Sequence, residues 1–340
     1  MKRLVLCFDR ARRYPDPESA TNTHRLFHLL SDGPGQISWY HPGASTTAAL
    51  TRFNPLRCRE AAADDARAAI ASAYQFLVDR WEPGDRIYLF GVGRGGYCAQ
   101  SLTRLLSTVG VLPDLMDYVM SAYALPRTQR TAGDWARVTD IAENLEQQRQ
   151  IPLPVHYLGL WDSVKIPGFT RRTLPAPMPN VEQGRHAVAI DGPSGSRPVS
   201  SASDRIEEVW FRGAHCDIAG GPGACRPLSD ISLDWVLDGA VEAGLSVSDA
   251  RGSVPRSVDA LAETAHTISP RTVPDHAAVH SSVETYLRQD RRYWKRLPPH
   301  ISWSDPDWAK RSERVAHKPV REPVGLSAEI PSRTLNWAAV

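Results

Sequence analysis

The hydrophobic pattern of the chain alternates between short runs that are apolar throughout and longer stretches whose apolar residues recur at helical spacing. A run without polar alternation is typical of a strand buried on both faces of a parallel sheet, whereas helical spacing indicates a helix with one buried face. The predicted strands are residues 4–8, 36–40, 87–90, 155–161 and 208–211. Strands that alternate with helices predict the crossovers of a parallel sheet, and therefore an α/β fold.

Helical spacing is found in three segments. Residues 26–30 follow a predicted N-cap at 21–22, the apolar stripe of a second helix runs through 66–81, and a third helix covers 228–239 and ends at Gly244. The first two lie between predicted strands and the third follows the last of them. This order of strands and helices is the one expected of a parallel sheet with helical crossovers.

Three segments do not fit this alternation. Residues 118–150 are polar and helical, which predicts a cap-like insertion; residues 180–203 are rich in Gly, Pro and Ser, which predicts a surface excursion. Prolines and arginines dominate beyond residue 245, so 246–340 is expected to be an irregular C-terminal extension packed on the core of a single domain, 1–340. The aromatic side chains that this packing is expected to cover include Tyr286, Tyr293 and Trp294.

Residues 86–100, RIYLFGVGRGGYCAQ, carry the first chemical signal. An apolar run leads directly into Gly91-Val92-Gly93-Arg94-Gly95, and a segment able to open a helix follows. This is the outline of a nucleophile elbow, G-x-S-x-G on a sharp strand-to-helix turn. The central residue is Gly93 and not serine, so the pattern predicts an α/β-hydrolase-like, mostly parallel sheet whose expected nucleophile is missing.

Asp162 and His215 follow later predicted strands, in the order nucleophile position, acid, histidine that an α/β-hydrolase requires. The carboxyl ends of parallel strands form the active face of an open sheet, so the three positions are expected to meet. Asp162 could accept a hydrogen bond from Nδ1 of His215, or it could only cap a turn. His215 lies among small residues, and a purely structural histidine is the alternative.

Two cysteines are alternative nucleophiles. Cys98 is expected inside the helix after the elbow, where it would be packed in the core. Cys216 adjoins His215, but neighbouring side chains of an extended segment point in opposite directions. Neither is the favoured replacement for serine.

Composition excludes several classes of protein. The 40 basic and 38 acidic residues give a net charge of +2, so no strong overall field would attract nucleic acid or an acidic membrane. The five cysteines lack CxxC spacing, which argues against a structural zinc site or a disulfide framework and favours a cytoplasmic location. No metal or cofactor is expected. No stretch approaches the about 18 apolar residues of a membrane span. A small-molecule or lipid-like ligand is the expected partner.

Three motifs resemble a largely uncharacterised family of α/β-hydrolase-fold proteins that includes phospholipase effectors of bacterial type VI secretion. The family elbow G-F-S-R-G-A-Y corresponds to residues 91–97, its G-V-W-D-T-V to residues 159–164, and its W-F-x-G-x-H-x-D-V-G-G-G to residues 210–221. Shorter matches fall at residues 40–43, 82–87 and 280–283. The resemblance implies one hydrolase-fold domain with embellishments and an ancestry in ester or phospholipid hydrolysis.

Two departures from the family pattern concern the reactive centre. Gly93 stands in place of the serine, and the D-G-T after the first strand is Asp9-Arg10-Ala11. In this fold the oxyanion hole is expected from the amide after the nucleophile, here Arg94, and from one near Arg10. The resemblance therefore assigns Asp9, Arg10, Arg94 and Asp217 to the oxyanion hole or pocket.

Loss of the nucleophile of a working triad lowers turnover about 10⁶-fold, so ordinary serine-hydrolase activity is not expected. The favoured hypothesis is a diverged enzyme that uses His215 and Asp162 as a general acid/base pair on a small or lipophilic substrate, in a cyclisation, elimination, isomerisation or non-covalent hydrolysis. The alternatives are an inactive pseudo-hydrolase that binds a ligand or protein partner, and a phospholipase or esterase whose nucleophile was removed by mutation.

Overall fold

The computed structural model of the chain describes residues 1–10, 19–31, 33–43, 55–111, 152–166, 178–192, 203–248, 254–264 and 269–311, with the backbone alone at 55–60. The cap-like insertion expected at 118–150 lies outside these residues. None of the helices in the described ranges has an apolar stretch long enough to cross a membrane.

An eight-stranded sheet forms the centre of the fold, with the strand order β2-β1-β3-β4-β5-β6-β7-β8. Each neighbouring pair is parallel. The strands are β1 (Arg3–Phe8), β2 (Gln36–His41), β3 (Arg86–Val92), β4 (Tyr157–Trp161), β5 (Gly184–Ala189), β6 (Ile206–Phe211), β7 (Ala277–His280) and β8 (Ile301–Ser304). The sheet confirms the α/β prediction and the hydrolase-like, parallel arrangement.

Helices cover both faces of the sheet. They are α1 (Asn22–Leu29), α2 (Pro55–Arg80), α3 (Arg94–Val109), α4 (His215–Ala219), α5 (Arg226–Glu242) and α6 (Ser281–Gln289). The predicted cap of α1 is confirmed, because the side chain of Thr21 accepts a hydrogen bond from the amide of His24 at 3.2 Å.

The apolar runs of the central strands supply two cores at once. In β1, Leu4, Leu6 and Phe8 pack with α2 and α3 on one face, while Val5 and Cys7 pack with α1 and α5 on the other. Successive side chains of a strand point to opposite faces, so a strand covered on both sides must be apolar at every position. This requirement produced the unbroken runs seen in the sequence.

The sheet has a topological switch point between β1 and β3. The chain passes from β1 to β2 on one side and then returns past β1 to form β3 on the other side. Loops that leave the carboxyl ends of β1 and β3 therefore diverge and leave a crevice, which is where open α/β sheets bind ligands. The segments after these two strands contain Asp9-Arg10 and Gly93-Arg94.

Two sequence expectations about the second half of the chain were wrong. The surface excursion expected at 180–203 contains β5, whose residues from His186 to Ala189 are fully buried. Its short apolar stretch was hidden by the polar and Gly-rich residues on either side. The strand predicted at 208–211 was expected to be the last, yet β7 and β8 extend the sheet beyond it. They have only four residues each, which is too short for a clear pattern.

The aromatic residues of the C-terminal extension meet different environments. Tyr293 is buried and Tyr286 packs against the same apolar cluster, as expected from the sequence. Trp294 is 45% exposed, so the expectation that it is covered was wrong. It lies in a short 3₁₀ segment, Arg291–Arg296, which turns its side chain outward while Tyr293 points inward.

We expect Gly95→Ala to destabilise the fold by about 1–3 kcal/mol, because overpacking at a rigid contact displaces backbone. A Cβ at position 95 would overlap the carbonyl oxygen of Phe8, at the point where α3 begins against β1. Gly35→Ala is the matched control, since a Cβ there meets no atom within 4 Å. Urea unfolding measures both, and equal stabilities of the two variants would contradict the assigned contact.

Candidate functional site

The turn between β3 and α3 has the backbone geometry of a nucleophile elbow. Gly93 lies between them with φ 55° and ψ −114°, a conformation that L-amino acids rarely adopt. Its amide donates to the carbonyl of Trp161 at 2.9 Å, and its carbonyl accepts from the amide of Val164 at 3.0 Å. The elbow is therefore fixed to the end of β4 by main-chain hydrogen bonds that do not depend on the side chain at position 93.

Parallel pairing brings the predicted site residues together. Val92 of β3 lies opposite Trp161 of β4, so the residues that follow them, Gly93 and Asp162, are neighbours. His215 starts α4, just after β6, and its Nδ1 lies 2.6 Å from Oδ2 of Asp162. The other side of the imidazole faces the elbow: a Cβ built on Gly93 would lie 3.2 Å from Nε2 and 3.0 Å from Cε1.

Asp162 has more partners than the sequence indicated. Arg271 approaches it with both terminal nitrogens, at 2.5 Å from Oδ1 and 3.0 Å from Oδ2. The amide of Ala189 also donates to Oδ1, at 3.1 Å. Asp162 is fully buried and has a positive φ of 42°. A non-glycine residue held in this region indicates that the surrounding contacts determine its position.

These partners keep the carboxyl group of Asp162 ionised. Burial by itself raises its pKa, but hydrogen bonds and opposite charges from His215 and Arg271 outweigh burial and hold the pKa well below its ordinary value. A carboxylate that stays charged accepts the Nδ1–H of His215 and leaves Nε2 free to take up a proton.

Arg271 was missed by the sequence analysis. It lies just before β7, its side chain is buried, and its amide donates to the carbonyl of Ile190 at 2.9 Å. A buried arginine nearly always requires a carboxylate partner, but nothing in the sequence around residue 271 indicates burial. The strand that follows it was also not predicted.

The segment that carries His215 is fixed by two further carboxylates. Asp191, after β5, accepts from the amide of Gly213 at 3.2 Å and from the hydroxyl of Tyr293 at 2.8 Å. Asp217, assigned to the pocket by the family resemblance, is fully buried. Its oxygens accept from the amides of Ala214 and Cys225 and from the hydroxyl of Thr264, each at 2.8 Å. The structure thus places Asp217 where it orients the His215 segment.

Asp9 and Arg10 follow β1 and also lie beside the elbow. The amide of Arg10 donates to Oδ1 of Asp9 at 2.6 Å, while Tyr40 and Thr21 donate to Oδ2 at 2.5 and 2.7 Å. The guanidinium of Arg10 crosses towards the His215 segment and donates to the carbonyl of Gly220 at 3.1 Å. The backbone donor that an oxyanion hole would take from this loop is therefore bound to Asp9.

A small cleft opens at the topological switch point, beside the elbow. Its apolar wall includes Phe8, Ala62, Ala66, Ala69, Cys98 and Ile166, and its polar wall includes Asp9, Arg10, Asp65 and Arg94. Three residues assigned to the pocket, namely Asp9, Arg10 and Arg94, line this cleft. His215 is not among the residues that line it.

Neither cysteine is suited to replace the serine. Cys98 is buried in α3, as predicted, and burial raises the pKa of its thiol to about 12. Cys216 follows His215, and burial together with the charge of Asp217 raises the pKa of its thiol to about 11. Thiols with such pKa values are protonated near neutral pH and are poor nucleophiles.

The parallel sheet, the strand-to-helix elbow and the paired His215 and Asp162 define an α/β-hydrolase-like protein. Residues 2–239 match the family model described as the type VI secretion phospholipase effector Tle1-like catalytic domain. This match covers more than half of the chain, and the chain belongs to this family.

Similar proteins are found among curated sequences and solved structures. An uncharacterized protein of Saccharomyces cerevisiae is 30% identical over 211 residues, which cover 56% of this chain and 31% of the yeast protein. The chain thus matches about a third of that relative's length. A crystal structure of an uncharacterized protein from Pseudomonas aeruginosa has a TM-score of 0.41 and 17% identity, covering 75% of this chain and 48% of the other. The structure of the Tle1 effector bound to the VgrG spike of the type VI secretion system has a TM-score of 0.35 and 16% identity, covering 64% and 51%.

Removal of Arg271 should destabilise the fold much more than removal of an arginine from an exposed ion pair. We expect Arg271→Leu to cost about 3–5 kcal/mol, because it leaves the buried charge of Asp162 without its main compensation. The double variant Arg271→Leu/Asp162→Asn should cost less than the sum of the two single changes. Arg226→Leu breaks an exposed Arg–Asp pair and should cost within about 0.5 kcal/mol. Additive losses in chemical denaturation would show that the two buried residues act independently.

Acid should remove the stability that Asp162 contributes. Its pKa is lower in the folded than in the unfolded chain, so the contribution is complete above about pH 5 and decreases as the pH falls below the unfolded value of about 3.9. Between pH 5 and pH 3 the stability difference between the native chain and Asp162→Asn should therefore shrink by about 1 kcal/mol. Urea titrations at each pH measure this, with exposed Asp204→Asn as the control. A stability difference between the native chain and Asp162→Asn that does not change with pH would contradict the lowered pKa of Asp162.

Proposed function

We propose that the chain is a diverged hydrolase-fold enzyme in which a water molecule activated by His215 replaces the serine nucleophile. The reaction is the hydrolysis of an ester bond in a small or lipophilic substrate, without a covalent enzyme intermediate. The proposal rests on one observation: the elbow keeps its backbone geometry without a side chain at Gly93, and the imidazole of His215 lies directly against this turn.

Nε2 of His215 lies close to the elbow, 3.2 Å from where a Cβ of residue 93 would be. A water molecule that hydrogen-bonds to Nε2 would therefore be held beside the elbow, in place of a serine hydroxyl. The proton of this water passes to Nε2 while its oxygen attacks the ester carbonyl. Asp162, charged and fixed by Arg271, orients the imidazole and stabilises its protonated form.

The first turn of α3 supports the negative charge of the tetrahedral intermediate. The amide of Arg94 is in this turn, where amides have no partner within the helix, and the helix dipole favours an anion. When the intermediate collapses, His215 returns the proton to the leaving alkoxide, so the acid and alcohol products together carry all the atoms of substrate and water. Two cationic side chains, Arg10 and Arg94, line the cleft beside the elbow and favour substrates with a negatively charged group near the ester.

A binding protein without turnover is the second candidate, and a specific contact favours it. The amide of Arg10 is engaged by Asp9, so the oxyanion hole lacks the donor that this loop would supply. Removal of one such donor lowers kcat by about 10²–10³. In this case the same cleft holds a ligand and His215 contributes to affinity alone. The cytoplasmic location, the single-domain organisation and the lipid-like partner predicted from the sequence stay predictions.

One set of variants separates these functions. Hydrolysis of an activated aryl ester and of phospholipid vesicles is measured for the native chain, His215→Ala and Gly93→Ala. General base catalysis predicts a loss of about 10²–10⁴ in His215→Ala. Gly93→Ala tests the water position: its methyl group would crowd the imidazole at Nε2 and should abolish turnover, whereas Gly35→Ala, whose Cβ meets no atom within 4 Å, should keep it.

Gly93→Ser then tests whether the rest of the site is ready for serine chemistry. We expect this variant, but not the native chain or Gly93→Ser/His215→Ala, to be labelled by a fluorophosphonate. The serine is strained by about 1–3 kcal/mol at this φ, and His215 must move back by a few tenths of an ångström. Labelling of Gly93→Ser together with no native turnover would favour the binding protein. Native turnover that survives in His215→Ala would rule out the proposed mechanism.

A further inference from the structure

We propose that Asp275, His276 and His300 form a binding site for a divalent transition metal ion of the zinc class. They lie at the amino edge of the sheet, whereas His215 and Asp162 lie at the carboxyl edge. The sequence analysis predicted no metal, because it considered the cysteines and did not foresee that residues 275–276 and 300 would be adjacent.

Strand register brings the two histidines together. Ala277 of β7 pairs with Ile301 of β8, so the residues that precede them, His276 and His300, enter the sheet side by side. The amide of His276 donates to the carbonyl of His300 at 2.9 Å. Their imidazole rings are nearly parallel, with an interplanar angle of 18° and centroids 5.2 Å apart. The pairing of the main chain therefore places the two histidines next to each other.

Asp275 completes a set of three ligand atoms with suitable spacing. Nδ1 of His300 lies 3.3 Å from each carboxylate oxygen, and Nε2 of His276 lies 3.5 Å from Oδ2. One ligand atom from each residue can be chosen so that all three lie within 4.8 Å of one another. Bonds of about 2.0–2.1 Å in a tetrahedral zinc site separate neighbouring ligand atoms by about 3.3 Å, so small side-chain rotations suffice.

The chemistry of the three residues selects the kind of ion. Two imidazoles and one carboxylate suit Zn²⁺, Co²⁺, Ni²⁺ or Cu²⁺, whereas Mg²⁺ and Ca²⁺ prefer oxygen ligands alone. The amide of His300 also donates to Oδ1 of Asp275 at 3.3 Å, which orients the carboxylate. The side chains of His276, His300 and Asp275 are 79%, 66% and 52% exposed, so the ion can enter from solvent and keep water in its remaining position.

A bound ion would link the loops that lead into β7 and β8. Strand β8 is the edge of the sheet and has four residues, so few hydrogen bonds hold it. An ion that prefers the folded arrangement to the unfolded chain should raise the melting temperature, and the rise should grow with the logarithm of the free ion concentration above Kd.

His24 and His28 are the main competitor for metal on the described part of the chain. They are one turn apart on α1, with Nε2 atoms 3.3 Å from each other, but they supply two ligands and no carboxylate. A variant of the His24 and His28 pair therefore serves as the control for a variant of the Asp275, His276 and His300 site, and the reverse. Because all four histidines and Asp275 lie away from the elbow, none of the changes touches the acid/base pair.

The test uses the full chain without an affinity tag. Calorimetric titration with Zn²⁺ is carried out on the native protein, His28→Ala, His300→Ala and Asp275→Asn, with circular dichroism to confirm folding. We expect one tight equivalent in the native protein and in His28→Ala. In His300→Ala the affinity should fall at least about tenfold, and Asp275→Asn should weaken it as well.

Co²⁺ in place of Zn²⁺ gives a second readout, because a tetrahedral complex with nitrogen and oxygen ligands absorbs strongly in the visible region. This band and the Zn²⁺-dependent rise in melting temperature should both be lost in His300→Ala and retained in His28→Ala. Binding that disappears in His28→Ala but persists in His300→Ala would overturn the proposal, and so would the absence of stoichiometric binding by the native chain.

Discussion

The buried charge of Asp162 is the constraint on which the site depends. A carboxylate removed from water requires compensation, and the chain supplies it from three directions: the guanidinium of Arg271, the imidazole of His215 and the amide of Ala189. Arg271 comes from the segment before β7 and Ala189 ends β5. The C-terminal part of the chain thus takes part in fixing the positions of Asp162 and His215 as well as in extending the sheet.

The site could be predicted from the sequence to the extent that it follows from strand ends. Gly93, Asp162 and His215 each come within four residues of the end of an apolar run, and parallel strands bring such positions to one edge. The positive φ of Asp162, the bond between Asp9 and the amide of Arg10, and the fork of Arg271 were not foreseeable. Each is a contact between segments far apart in sequence, and no local pattern encodes it.

The fold shows the same division between local and long-range information. Strands β1 and β3 were evident because burial on both faces makes every residue apolar. Strand β5 was missed although it is equally buried, since Arg185 and His186 interrupt its apolar stretch and find partners only in the folded chain. Strands β7 and β8 are short edge elements whose pairing depends on the sheet being already formed.

Because of the conformation of Gly93, a change from serine to glycine and the reverse change differ in their energetic cost at this position. A serine at φ 55° is strained, whereas glycine adopts this φ without strain. A change from serine to glycine therefore relaxes the turn, and its main-chain hydrogen bonds to β4 keep the elbow in place. The reverse change must restore the strain in a protein of marginal stability. A serine at this position would in addition crowd the imidazole of His215, so at this turn a change away from serine is easier than a change to it.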